Sequence, residues 1–222
     1  MDDISKRNKK IGGRVMKVDV FELPENLYYS EGHTWARVED GLVRIGVDDF
    51  FQKLAGAVVY LELPAVGSQI QQLKPWGVIS TTTQPANRAF IGPPKDFRFD
   101  MQTLEYLATR GGFCHCRLGE RCPCARKDEC PCQAYVPVNY LIAPISGVVT
   151  EVHKELVDTP WDVNMDPYES GWIVVVKPTD LKTELNNLVT DGAVATWINK
   201  EIEAKRPLVD KFKEVWDKYQ EK

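Results

Sequence analysis

The sequence predicts a mostly β protein: a quasi-symmetric sandwich of short strands that carries a cysteine-rich, partly helical insertion and ends in a helical extension. Three observations lead there. Apolar and polar residues alternate between tight turns from Tyr28 to Leu63. Two similar turn-then-strand units recur, Leu63-Pro64-Ala65-Val66-Gly67 and Ala143-Pro144-Ile145-Ser146-Gly147. Near the end of the chain, Leu208, Phe212, Val215, Trp216 and Tyr219 fall on one helical face.

The totals bound the rest. A chain of 222 residues with 43% hydrophobic content can bury a real core as one large or two small domains. A formal net charge of -4 argues against a nucleic-acid partner, because a protein that tracks phosphates carries a basic surplus. The opening MDDISKRNKK has no apolar run, so no signal peptide is expected. No stretch approaches the roughly 18 apolar residues of a membrane span. These features place the chain in the cytoplasm, with no membrane partner.

Residues 1–20 are polar and basic, with Lys6, Arg7, Lys9, Lys10 and Arg14, and Gly12-Gly13 interrupts any helix. They are read as a basic tail, with docking to an acidic partner as the sharper alternative. Residues 21–82 and 138–190 form the β domain. Its strands are read in TWARVED, then after a Glu-Asp-Gly turn at 39–41 in LVRIGVDDF and VVYLEL, then in SQIQQLKPWGVIS, and finally in VVTEVHKEL. Thr81-Thr82-Thr83 reads as β-branched strand, His33 as structural and His153 as a surface residue.

Residues 83–137 are an insertion. It opens with turn residues Pro85, Gly92, Pro93 and Pro94. A short helix comes next, capped by Asp100, striped by Leu104, Leu107 and Ala108, and ended by Gly111-Gly112. The insertion carries a small basic surplus over an acidic remainder, which favours an acidic electron donor. Residues 191–222 form the helical extension, whose apolar face packs on its own domain or docks a larger redox complex.

All six cysteines lie in FCHCRLGERCPCARKDECPC, Phe113 to Cys132, as Cys114 and Cys116, Cys122 and Cys124, Cys130 and Cys132. In an extended backbone residues i and i+2 point the same way, so each pair presents two sulfurs together. Pro123 and Pro131 keep those loops from becoming helical. In a reducing compartment such a cluster reads as metal-binding or redox-active before it reads as a disulfide framework. Six sulfurs exceed a tetrahedral zinc site by two, and structural zinc motifs space their cysteines more widely. A [4Fe-4S] cluster takes four thiolates and would leave a dithiol. An iron–sulfur centre, zinc and free or disulfide-bonded thiols all remain open on spacing alone.

The strings EGHTW, VYLELPAVG, APISG and NMDPYESGW resemble the glycine cleavage system H-protein, over roughly residues 27–82 and 138–200. The resemblance implies a barrel-sandwich hybrid in which a lysine at a β-hairpin tip carries lipoate. That hairpin comes just after the strand matching Trp76 to Ile79, and here its residues read Ser80, Thr81, Thr82, Thr83. Between Gly77 and Ala143 the chain has 65 residues, far more than a hairpin needs. Lys95, in GPPKDF, is loop chemistry and not a hairpin tip. The expectation is therefore an H-protein-like chain without lipoate.

The three triplets, Cys-His-Cys then twice Cys-Pro-Cys, also resemble the catalytic chain of ferredoxin-thioredoxin reductase over about 20 residues, although there Cys-His-Cys comes last and the spacers are longer. Carried over, the resemblance implies Cys114, Cys122, Cys124 and Cys130 as cluster ligands and Cys116 and Cys132 as a redox dithiol. His115 would steady a thiolate or serve as an acid. The function expected is then an iron–sulfur redox protein on an H-protein-like scaffold, an electron-transport oxidoreductase with a [4Fe-4S] cluster. At its furthest it is a disulfide reductase acting on a disulfide or lipoyl group of a partner. Its partners would be ferredoxin, thioredoxin, a lipoyl or disulfide protein, or a larger redox complex. The alternative is a non-enzymatic H-protein-like adaptor with a zinc-binding knuckle.

Overall fold

A computed structural model describes residues 13–81 and 138–220 of the chain. The first element lies inside the stretch read as tail: β1 (Val15–Val18) pairs antiparallel with β2 (Phe21–Pro24), with Asp19 in the left-handed region at φ 55°. Phe21 and Leu23 are fully buried, and that burial holds the hairpin down.

β3 (Tyr28–Tyr29), β4 (Thr34–Glu39) and β5 (Leu42–Val47) form an antiparallel run. Asp40 and Gly41, both at positive φ (50° and 81°), join β4 to β5 in the two-residue turn whose twist suits a hairpin. Trp35 faces Gly46 across this pair, and a Cβ at Gly46 would lie 2.6 Å from the indole ring.

The strand expected over LVRIGVDDF ends at Val47. Asp48 accepts the Phe51 N–H at 2.7 Å and caps helix α1 (Asp49–Ala55), which stops at Gly56, φ 91°. Phe50 and Leu54, one turn apart, are the buried face of α1. β6 (Val58–Glu62) comes next.

SQIQQLKPWGVIS divides into β7 (Gln69–Ile70) and β8 (Pro75–Thr81) about a turn that holds Leu73 at φ 63°. β9 (Val138–Ile142) and β10 (Gly147–Val152) resume the chain. A single 3-10 turn leads to α2 (Asp162–Met165), and then come β11 (Val174–Pro178), α3 (Leu181–Leu185), α4 (Ala193–Ala204) and α5 (Arg206–Gln220).

Apart from the β1–β2 hairpin, the strands form two sheets: a six-stranded sheet in the order β3-β4-β5-β11-β10-β7 and a three-stranded sheet in the order β6-β8-β9. Between them lies an aliphatic core that includes Ile45, Leu61, Ile79, Leu141, Val149 and Val176. This is the mostly β, barrel-sandwich architecture expected. The two similar turn units meet, because β7 pairs with β10 through Gly147↔Ile70 and Val149 donates to the Ser68 carbonyl at 2.9 Å.

A second, aromatic core joins β1–β2, α1 and the last two helices. Phe21, Phe50, Ile198, Val209 and Phe212 are buried in it, and Leu208 and Trp216 pack against it. The C-terminal stripe thus packs on its own body; the side chains of Val215 and Tyr219 lie outside those described. Pro207 sits in the first turn of α5, where its missing N–H costs nothing. His153 is not a free surface residue: its ring stacks on Trp172 at 4.4 Å and its Nδ1 lies 2.8 Å from the Trp172 carbonyl. Among the described residues, no helix is long and apolar enough to cross a membrane.

Candidate functional site

The segment that carries all the sequence-predicted site residues lies in the sequence between β8 and β9. β8 is the centre of its sheet, paired to β6 through Val58↔Thr81 and Tyr60↔Ser80, and to β9 through Ile79↔Asn139 and Ser80↔Val138. Both pairings run to the last described residues, so the strand ends that flank residues 82–137 form a fixed two-point root. Ile79, Leu141 and Leu61 secure that root from the core side. Thr81 is fully buried, and its Oγ1 has no hydrogen-bond partner among the described residues.

Two distant parts of the chain hold the flanking strands. At the far end of β9, Thr34 Oγ1 donates to the Ile142 carbonyl at 2.8 Å, and Ser30 Oγ lies 2.7 Å from Thr34 Oγ1. At the start of β6, the buried Asn164 accepts the Val58 N–H at 2.8 Å. Its Nδ2 donates to the Gly56 carbonyl at 3.1 Å and the Gln52 carbonyl at 3.3 Å. One amide side chain thereby satisfies three backbone groups where α1 gives way to β6.

Cys114, His115, Cys116, Cys122, Cys124, Cys130 and Cys132 lie outside the described residues. Among the described residues, no group of three or more His, Cys, Asp or Glu could hold a metal ion. The described body contains a different polar cluster that sequence patterning did not pick out. Buried His33 lies 2.9 Å from Asp48 and 3.4 Å from Glu201, a residue 168 positions away. Burial lowers the His33 pKa, but Asp48 and Glu201 outweigh it, so the net shift is upward. Burial also drives the Tyr29 and Tyr168 pKa values well above 10, with the Asp48 and Asp49 carboxylates adding to it.

A family profile described as "Glycine cleavage H-protein" matches residues 27–87 and 135–201. The glycine cleavage system H protein of Geobacillus thermodenitrificans is 32% identical over 177 residues, spanning 80% of this chain and 97% of its own. That of Geobacillus sp. (strain WCH70) is 34% identical over 167 residues, spanning 75% and 89%. The crystal structure of a glycine cleavage system H protein from Mycobacterium marinum, 22% identical, covers 71% of this chain and 87% of its own at a TM-score of 0.44.

The family profile and the sequence relatives overturn the iron–sulfur reading. They run through the barrel on both sides of the cysteine run, which falls in the unmatched interval, and they point to a lipoyl-carrier family. A carrier scaffold hands on a covalently held group and has no need of a one-electron relay. The [4Fe-4S] cofactor with its zinc substitute, the iron–sulfur oxidoreductase assignment and the expected absence of lipoate are therefore withdrawn. Ferredoxin and thioredoxin lose their support as partners with them.

Lipoate is held as an amide of a lysine. Among the described residues, β8 ends on Ser80 and Thr81, and Lys74 stands at the opposite end of that strand, so the described root itself offers no amine. Lys95 and Lys127 are the lysines of the intervening segment and lie outside the described residues.

Proposed function

The chain belongs to the glycine cleavage H-protein family, and from that premise we propose that it works as a carrier. In this reading the barrel docks on a protein partner, and the segment between β8 and β9 delivers a covalently held group. One observation carries the proposal. The matched family body is continuous on either side of a single point, and that point is a strand pair whose register is fixed up to Ser80↔Val138. The one internal break in the match, residues 88–134, falls where the family displays its working group.

A carrier needs a nucleophile on the part it displays. The segment supplies the amines of Lys95 and Lys127 and the thiols of Cys114, Cys116, Cys122, Cys124, Cys130 and Cys132, with His115 as a base beside two of them. The relatives' own names point to the partner class, the other proteins of a glycine cleavage system.

The test is binding of the purified full-length chain to purified proteins of that system. Saturable binding that survives replacement of segment residues, and weakens with substitutions on the barrel surface, supports the proposal. Absence of binding to every one of those proteins overturns it.

A further inference from the structure

Away from the strand root, a group of buried titratable side chains among the described residues links α4 to the turn before β4. His33 is buried, and the turn holds it at φ 57°: its N–H donates to the Ser30 carbonyl at 3.0 Å, and its own carbonyl accepts the Asp48 N–H at 3.0 Å. Its ring stacks on Phe50 at 4.7 Å and lies 5.4 Å from Trp197. Each ring nitrogen meets a carboxylate. Nδ1 is 2.9 Å from Asp48 Oδ2, and Nε2 is 3.4 Å from Glu201 Oε2 on α4.

The surroundings are charged on every side. Asp48 is fully buried and already caps α1. Glu201 also pairs with Lys205 at the end of α4, and the Lys205 ammonium lies 5.2 Å from the Phe50 ring. Asp49 is occupied by Lys53, the Gln52 amide and the Glu22 N–H. Tyr29 stacks on Trp197, and Tyr168 donates to the Glu22 carbonyl.

We propose that His33, bridging Asp48 and Glu201, is a pH-operated clamp that holds the α4–α5 pair on the aromatic core and loosens it as pH rises. This is independent of the carrier role. Only an imidazolium can donate from both nitrogens. When one proton leaves, the remaining N–H stays with Asp48, because an unpaired, fully buried carboxylate costs more than a partly exposed one. The Nε2 lone pair then faces Glu201, and repulsion replaces attraction at the bridge from His33 to α4. The end of α4 and the whole of α5 loosen with that bridge. The family match ends at Glu201, and beyond it α5 covers Phe21 with Phe212, rings 6.5 Å apart, and pairs Lys213 with Asp19 at 2.9 Å.

The operating window is set by the signs. Burial lowers the His33 pKa, Asp48 and Glu201 raise it, Lys205 lowers it, and the net is above the ordinary 6.5. Its contribution is complete below 6.5 and is lost as pH rises through the folded value. Burial raises the Glu201 pKa, but Lys205 and His33 bring it below 4.5, so its contribution is complete above 4.5 and is lost as pH falls through the folded value. The clamp is tightest between those two ordinary values.

The experiment is amide hydrogen exchange of the full-length chain at about pH 6 and about pH 9, corrected for intrinsic exchange. Protection over 193–220 is expected to fall relative to the β core, by about tenfold for each unit by which His33 is shifted. Glu201→Gln removes the step, because a carboxamide can donate to a neutral imidazole. His33→Asn also removes it while tolerating the left-handed backbone. Lys205→Met deletes a charge that opposes protonation and moves the step to higher pH. Equal protection at both pH values overturns the clamp, as does a loss shared by the β core. So does a wild-type step in Glu201→Gln or an unmoved step in Lys205→Met.

Discussion

Thr34, the first residue of β4, donates its hydroxyl hydrogen to the carbonyl of Ile142, the last residue of β9, at 2.8 Å. With that hydrogen committed, Ser30 Oγ is the donor to Thr34 Oγ1 across 2.7 Å. The six-stranded sheet is thereby fastened to β9, the strand that follows residues 82–137.

Thr34→Val keeps the shape and deletes the donor, leaving the Ile142 carbonyl and the Ser30 hydroxyl without it. Denaturant unfolding is expected to register a loss of about 1–3 kcal/mol, and Thr34→Ser to recover most of it.

Asn164→Ala strips three backbone partners at once, the Val58 N–H and the carbonyls of Gly56 and Gln52. A loss of at least about 2 kcal/mol is expected. The exposed Asn186→Ala, measured alongside, should stay within about 0.5 kcal/mol of wild type.

Gly46→Ala drives a methyl to within 2.6 Å of the Trp35 ring across the β4–β5 pair. The cost of such overpacking is about 1–3 kcal/mol. A changed near-ultraviolet circular dichroism signal would show that the indole has moved to make room.

Much of this fold was legible in the chain. Asp40-Gly41 announced its hairpin because a two-residue turn at positive φ is local chemistry, and the H-protein strings located the barrel. Helix α1 was missed because Phe50 and Phe51 continue an apolar strand pattern. The signal that could have found it was the Asp48 cap, the Phe50–Leu54 spacing and the Gly56 stop, taken together. The His33–Glu201 contact joins residues 168 apart and leaves no local periodicity to read. The H-protein strings gave the cysteine run its address at the family's hairpin, but its triplets suggested an iron–sulfur centre that the family match does not support.

Tyr29 and Tyr168 carry pKa values pushed well above 10, by burial first, then by the Asp48 and Asp49 charges for Tyr29 and by Tyr29 itself for Tyr168. Because these folded values exceed the unfolded ones, the neutral phenols stabilise the fold below pH 10, and that contribution fades as pH rises through the folded values. An ultraviolet titration of the 8 tyrosines should therefore show at least two, Tyr29 and Tyr168, that ionise only together with alkaline unfolding.

The carrier account is tested most directly by comparing the full-length chain with a variant in which Asn-Gly replaces residues 82–137. Both are loaded in the presence of purified glycine cleavage partner proteins and mapped by peptide mass spectrometry. The account predicts a covalent adduct on a lysine or cysteine between residues 82 and 137 of the full-length chain, and none on the shortened chain, which still folds and binds the partners. An adduct on the barrel itself, or equal loading of the two proteins, would contradict it.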